Sequence, residues 1–263
     1  MTTALALISH AIRMLVFETG TTLKVVMPAI LLVLGSTLAS VVLLPDAIAA
    51  LQAHPEDMVL PSGGELGLLA LFGLCALMGY VLMAILWHRH VLLSGTDHAD
   101  DLRPSASIVL SYVWRAILVG LMQLLATIPI VIGTAAIGAV IGMTAGLGGS
   151  AFLGLVIGLL ASVVFVWIAL RLSVVLPAAA LGQPMKIFES WRETAPISGP
   201  LWGVAALLAA INIGINGLAA MILPEAAVVS ALISACVYMI EGLVFVSVLT
   251  TLYGHLVERR TLG

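Results

Sequence analysis

The chain has 263 residues, 62% of them hydrophobic and 9% charged, with a formal net charge of −3. Soluble domains carry about 25% charged residues, so this composition excludes a water-soluble globule. The small charge and the scattered cations also exclude a polyanion-binding surface, nucleic acid included.

Crossing a bilayer takes about 20 mostly apolar residues, because a helix rises about 1.5 Å per residue through a hydrocarbon core of about 30 Å. Six stretches meet that length. Ahead of the first, residues 4–18 form an amphipathic helix predicted to lie in the membrane interface: Leu5, Ile8, Ile12, Leu15 and Val16 share one face, opposite Ser9, His10 and Arg13. The first span, near 25–44, exceeds the 7 to 15 residues of a secretory apolar region and reads as a retained anchor. Residues 45–65 then make the single long outer loop, with Asp46, Glu56, Asp57 and Glu65 and no cation. The second span, near 66–87, holds Cys75, which like Cys236 falls inside an apolar run where a thiol packs as a small hydrophobe. The inner loop that follows has His88, His90 and His98 beside Asp97, Asp100 and Asp101, a spacing that matches no recognised zinc pattern and predicts no metal.

The third span, near 116–143, is opened by Arg115 and contains Pro129, which predicts a tilt or kink. Gly138, Gly142 and Gly146 recur every fourth residue at its end, and Gly154, Gly158 and Ser162 do so in the fourth span, near 151–176. Such stripes let two helix backbones approach closely, either as a hairpin or between two chains. Arg171 falls less than two turns before Pro177, within snorkelling reach of headgroups. A second interfacial helix is predicted over 184–194, with Pro184 in its first turn, Ile187, Phe188 and Trp191 on one side, and Lys186, Glu189 and Glu193 facing water.

The fifth span, near 200–223, carries Asn212 and Asn216 one turn apart; the sixth, near 228–253, carries Glu241 close to its middle, with Tyr238 a turn earlier. An acidic residue at a helix centre costs about 2.5 to 3.5 kcal/mol on insertion scales, so Glu241 needs compensation. Two readings stay open. Glu241, Asn212, Asn216 and Tyr238 form either an intramembrane polar site for a proton or cation, or hydrogen-bonding glue between spans.

The cations alternate across this scheme. Arg13 and Lys24 precede the first span, Arg89, Arg103 and Arg115 lie around the second-to-third connection, Arg171, Lys186 and Arg192 around the fourth-to-fifth, and Arg259 and Arg260 after the sixth. Flanking Lys and Arg stay in the cytoplasm, which predicts both termini inside and one integral membrane domain over 1–263. Arg13, Arg115, Arg171 and Arg192 are the expected contacts to lipid headgroups. Ser9 to Arg13, Ser111 to Arg115 and Ser190 to Arg192 stand at corresponding places before the three hairpins, as anchors of a weak threefold repeat.

Two inner-face segments carry a resemblance. Residues 87–93, Trp-His-Arg-His-Val-Leu-Leu, and residues 171–182 running on to Glu189-Ser-Trp-Arg-Glu-Thr194 resemble uncharacterised six-helix bacterial inner-membrane proteins of the YciC type. They are also similar to the membrane domain joined to some glycerophosphoryl diester phosphodiesterases. The resemblance implies an all-helical protein of the bacterial plasma membrane. It brings no catalytic residue, since chemistry in the phosphodiesterases belongs to a separate soluble domain.

No phosphate-binding glycine loop, nucleophile elbow or paired-cysteine framework is present, and no cofactor is expected. The expectation is a non-enzymatic, all-α polytopic membrane protein that organises membrane lipids or membrane protein partners, itself included. The alternative is a small transporter or channel component built around Glu241, Asn212 and Asn216.

Overall fold

The structure, a computed structural model, describes residues 3–17, 19–52, 60–94, 101–144, 147–183, 185–224 and 226–261. Among these the chain is helical, without strands: α1 (Ala4–Phe17), α2 (Thr19–Leu43), α3 (Pro45–Gln52), α4 (Gly63–Leu93), α5 (Ala106–Thr144), α6 (Leu147–Leu172), α7 (Val175–Ala180), α8 (Ile187–Glu193), a 3-10 turn (Ala195–Ile197), α9 (Ser198–Ile222) and α10 (Ala227–Leu256). Six helices among the described residues are long and apolar enough to cross a membrane. They begin and end close to the predicted spans, with some informative differences.

The long loop expected over 45–65 opens with the short helix α3 and closes with an N-cap at Ser62, whose side chain accepts from the Glu65 backbone N–H while Glu65 accepts from the Ser62 N–H at 2.7 Å. This reciprocal cap satisfies two of the donors that a helix start leaves open. Glu65 thus serves as a cap, and α4 starts earlier than predicted. It also runs on through His88 and His90, which belong to its last turns and not to a loop. At α5 the helix begins at Ala106, ten residues before the predicted span, so Ser111 to Arg115 continue into it without a separate interfacial segment. Pro129 lies inside α5 without ending it. Pro177 behaves differently. Lacking an N–H to give the Ser173 carbonyl, and with a ring that crowds it, this proline interrupts the fourth span at residues 173–174 and takes a place in the first turn of α7. Gly182, at φ 74°, then stops α7: its N–H reaches the Ala179 carbonyl and that of Gln183 the Ala178 carbonyl, the closing pattern that a left-handed glycine permits.

The helices group into two compact units, Met1–Val16, Pro104–Ile213 and Ser247–Gly263 in one, Phe17–Arg103 and Gly214–Val246 in the other, with α9 and α10 contributing to each. In the second unit, α2 lies along α4 around Val26, Ala29, Val33 and Met83, joined by Ala235 and Met239 of α10. Gly79 makes that approach possible: a Cβ there would stand 2.6 Å from Val33 Cγ2 and 3.1 Å from the Ala29 carbonyl oxygen. In the first unit, Val119, Leu172 and Val175 are buried together, and Ile187 and Trp191 of α8 pack on them.

Further along this unit the packing thins out. No residue of α5 from Leu124 to Gly142, and none of α6 from Phe152 to Ala169, is buried. Leu124, Ile132, Val140, Phe152, Leu155 and Leu160 are all exposed there. An apolar surface this continuous is unsuited to water and is what a lipid-facing helix presents.

Candidate functional site

Asn216 and Glu241 meet. The Asn216 Nδ2 donates to Glu241 Oε1 at 2.9 Å, joining α9 to α10 within one compact unit, and both side chains are half-buried. The polar group that insertion penalises is thereby compensated from a neighbouring helix. The carboxyl acts as acceptor in this bond. Tyr238 is 55% exposed and turned outward. Asn212, one helical turn before Asn216, is exposed and falls in the other compact unit.

The four arginines expected at headgroups differ in what they touch. Arg13 is exposed on α1. Arg115 donates to the Ser111 carbonyl at 3.3 Å, to the Ser111 hydroxyl, and to the Met185 carbonyl at 3.5 Å. Arg171 is the main correction. Only 6% exposed, it gives Nε to Thr194 Oγ1 at 3.2 Å and a terminal nitrogen to the Trp191 carbonyl at 2.6 Å, so protein acceptors replace the expected lipid phosphate. Its guanidinium carbon lies 3.7 Å from the Trp191 ring centroid and 5.1 Å from that of Trp167, and Trp202 stacks on Trp167 at 4.6 Å. Ser190 completes the joint by donating to the Arg171 carbonyl at 2.7 Å. This arrangement of cation, aromatic faces and backbone acceptors fixes α8 to the end of α6. Trp167 and Trp202 were missed as parts of it. The separation of Trp167 from Arg171, four residues on an apolar helix, was the available signal.

With α8 held so, its inward stripe is the half-buried Ile187 and Trp191 with the buried Ser190 and Thr194, while Phe188 points away and is 78% exposed. The predicted grouping of Phe188 with Ile187 and Trp191 is corrected accordingly. The predicted role of Pro184 in the first turn lies outside the described residues; the helix begins at Ile187, where the Lys186 backbone N–H is capped by Glu189 at 2.8 Å. Arg192 is largely exposed, 3.9 Å from Glu193.

A comparable division appears on α1. Leu7, Ile8 and Ala11 are buried, and Ala4 lies so near α9 that a Cβ on Gly203 would come within 2.8 Å of it. Leu5, Ile12, Val16 and Phe17 nonetheless stay exposed. The predicted single apolar face is two adjoining stripes, of which Ile8 belongs to the buried one.

The glycine stripes do not form the close hairpin expected of them. At Gly138, Gly142, Gly154 and Gly158 a Cβ would meet nothing within 4 Å, and Gly146 lies outside the described residues. The polar link between α5 and α6 comes instead from Gln123, whose Nε2 donates to the Phe165 carbonyl at 2.9 Å. Sequence reasoning passed over this glutamine, the one amide in an otherwise apolar run.

Of the predicted loop cluster, Asp97, His98 and Asp100 lie outside the described residues. Arg89, buried, donates to the Asp101 carbonyl at 2.5 Å and pairs with its carboxylate at 3.2 Å. No group of three His, Cys, Asp or Glu side chains that could hold a metal occurs among the described residues.

Two hollows, of about 370 and 270 Å³, lie where α8 meets the C-terminal end of α10 and the tail. They share Glu193, Leu256 and Arg259. The chain reverses there through Val257 N–H to the Tyr253 carbonyl (2.9 Å) and Arg260 N–H to the Gly254 carbonyl (2.8 Å), with Arg260 paired to Glu258 at 2.6 Å.

No protein family, curated protein or solved structure matches the chain. Six membrane-length apolar helices make it a multi-pass membrane protein in class.

Proposed function

We propose that this is a non-enzymatic protein of the bacterial plasma membrane, both termini in the cytoplasm, that organises membrane lipids or membrane protein partners along the inner leaflet. The alternation of cations and the resemblance to YciC-type proteins support the location and orientation. The observation that carries the role is the divided surface of α1: a buried stripe of Leu7, Ile8 and Ala11 anchors it to the protein, and a second stripe of Leu5, Ile12 and Val16 remains open. A helix held in place with apolar side chains to spare is suited to enter the headgroup boundary or to receive a partner helix. Phe188 and Arg192 give α8 a smaller version of the same face.

Substituting glutamine at Leu5, Ile12 and Val16 removes the open stripe and leaves the anchoring one intact. Lipid and protein recovered with the purified chain from native membranes should fall; unchanged recovery would overturn the proposal.

The hydrogen bond from Asn216 to Glu241 favours a second reading, a transporter component with a polar group inside the membrane. Glu241→Gln keeps the hydrogen bond and removes the titratable proton. Under this reading, proton-linked flux in reconstituted vesicles disappears in that variant; flux at the original rate excludes it.

A further inference from the structure

We propose that the groove between α8 and the C-terminal tail binds the phosphodiester of a phospholipid headgroup, with Arg259 as its anchoring cation. The assignment rests on the reading that this end of the spans lies at the inner leaflet.

The cations around the groove are differently engaged. Arg260 is held by Glu258 at 2.6 Å, and Arg192 stands 3.9 Å from Glu193. Arg259 has no hydrogen bond or ion pair among the described residues, yet it lines both hollows. A guanidinium offers five donors and no acceptor, and its planar fork matches two oxygens of a phosphate. Arg259 is exposed, so that fork is open to a phosphate that enters the groove.

The backbone points the same way. Arg259, at φ 58°, is the one residue other than glycine with positive φ among those described. An arginine in the left-handed region costs stability that a glycine would not, and such positions tend to persist where a side chain is needed. Here the reversal after Tyr253 turns residue 259 into the groove's lining.

The remaining walls define the ligand further. Leu256 and Ile197 supply apolar surface beside the cation, the polarity change found where a lipid's phosphate joins its glycerol and acyl chains. Glu193 borders both hollows and Glu189 the smaller one. These carboxylates oppose a polyanion and leave room for a single negative charge.

The test uses the full chain in detergent, with phosphatidylglycerol, diacylglycerol and inorganic phosphate as probes and native mass spectrometry as readout. Phosphatidylglycerol should bind and diacylglycerol should not. Arg259→Gly removes the guanidinium while relaxing the backbone, so melting temperature should hold or rise as phosphatidylglycerol affinity falls about tenfold. Equal affinity in that variant, or equal binding of diacylglycerol, overturns the proposal. Inorganic phosphate should not displace the lipid at millimolar concentration; displacement would assign the groove to a soluble phosphate and overturn the headgroup. A cysteine at position 261 that reacts only from outside would sink the inner-leaflet reading and leave the effect of Arg259→Gly standing, so the two failures are separable.

Discussion

Gly79 shows how much a single missing methyl group decides. With no side chain it allows the backbone of α2 at Ala29 and Val33 to lie against α4, and an added Cβ would overlap Val33 at 2.6 Å. Gly73, on the same helix but less than two turns earlier, would meet nothing within 4 Å. Overfilling a packed site costs about 1–3 kcal/mol. Gly79→Ala should therefore lower resistance to unfolding in mixed micelles by that amount, and Gly73→Ala should be neutral or slightly stabilising through helix propensity. Equal effects of the two substitutions would contradict the packing described. In the sequence these two glycines look alike. In the stripes that did stand out, a Cβ at Gly138, Gly142, Gly154 or Gly158 would meet nothing within 4 Å, because four-residue spacing reports a possible contact and not its partner.

At the level of elements, the joint at Arg171 determines where α8 sits. Its guanidinium faces Trp191 and Trp167, while Ser190 and Thr194 close the hydrogen bonds on either side. Lysine keeps the charge but lacks the planar fork and the stacking surface. Arg171→Lys should thus weaken the joint by about 2 kcal/mol, from the combined loss of stacking and charged hydrogen bonds. Amide hydrogen exchange is expected to quicken across residues 187–194 and stay unchanged in the middle of α6. Unaltered exchange in α8 would show that the apolar contacts of Ile187 and Trp191 suffice alone. The amphipathic pattern of α8 was legible beforehand, but not its orientation: Phe188 and Trp191 are both large and apolar, and only the place of Arg171 selects which one turns inward.

For the whole molecule, the proposed orientation rests on where cations cannot go. Translocating Lys or Arg across the bilayer is unfavourable, so cysteines placed at 103 and 261 should react with a membrane-impermeant reagent only after the inner face is opened. A cysteine at 56 should react from outside. The background for all three lacks Cys75 and Cys236. Labelling of 56 and 103 from the same side would remove the topology and with it the inner-leaflet reading.

Helical class, the number of spans and their approximate limits were determined by the sequence, because lipid demands backbone satisfaction inside each segment and leaves an uninterrupted apolar run as its trace. Caps and breaks were only partly legible. Pro177 interrupts its helix and Pro129 does not, though both are prolines within apolar runs. What tertiary structure alone decided is which polar groups meet: Asn216 with Glu241, Arg171 between two tryptophans, Gln123 with the Phe165 carbonyl. These pairings depend on the rotation and depth of neighbouring helices, set by the packing of many small side chains together, and no local pattern in the chain records that sum.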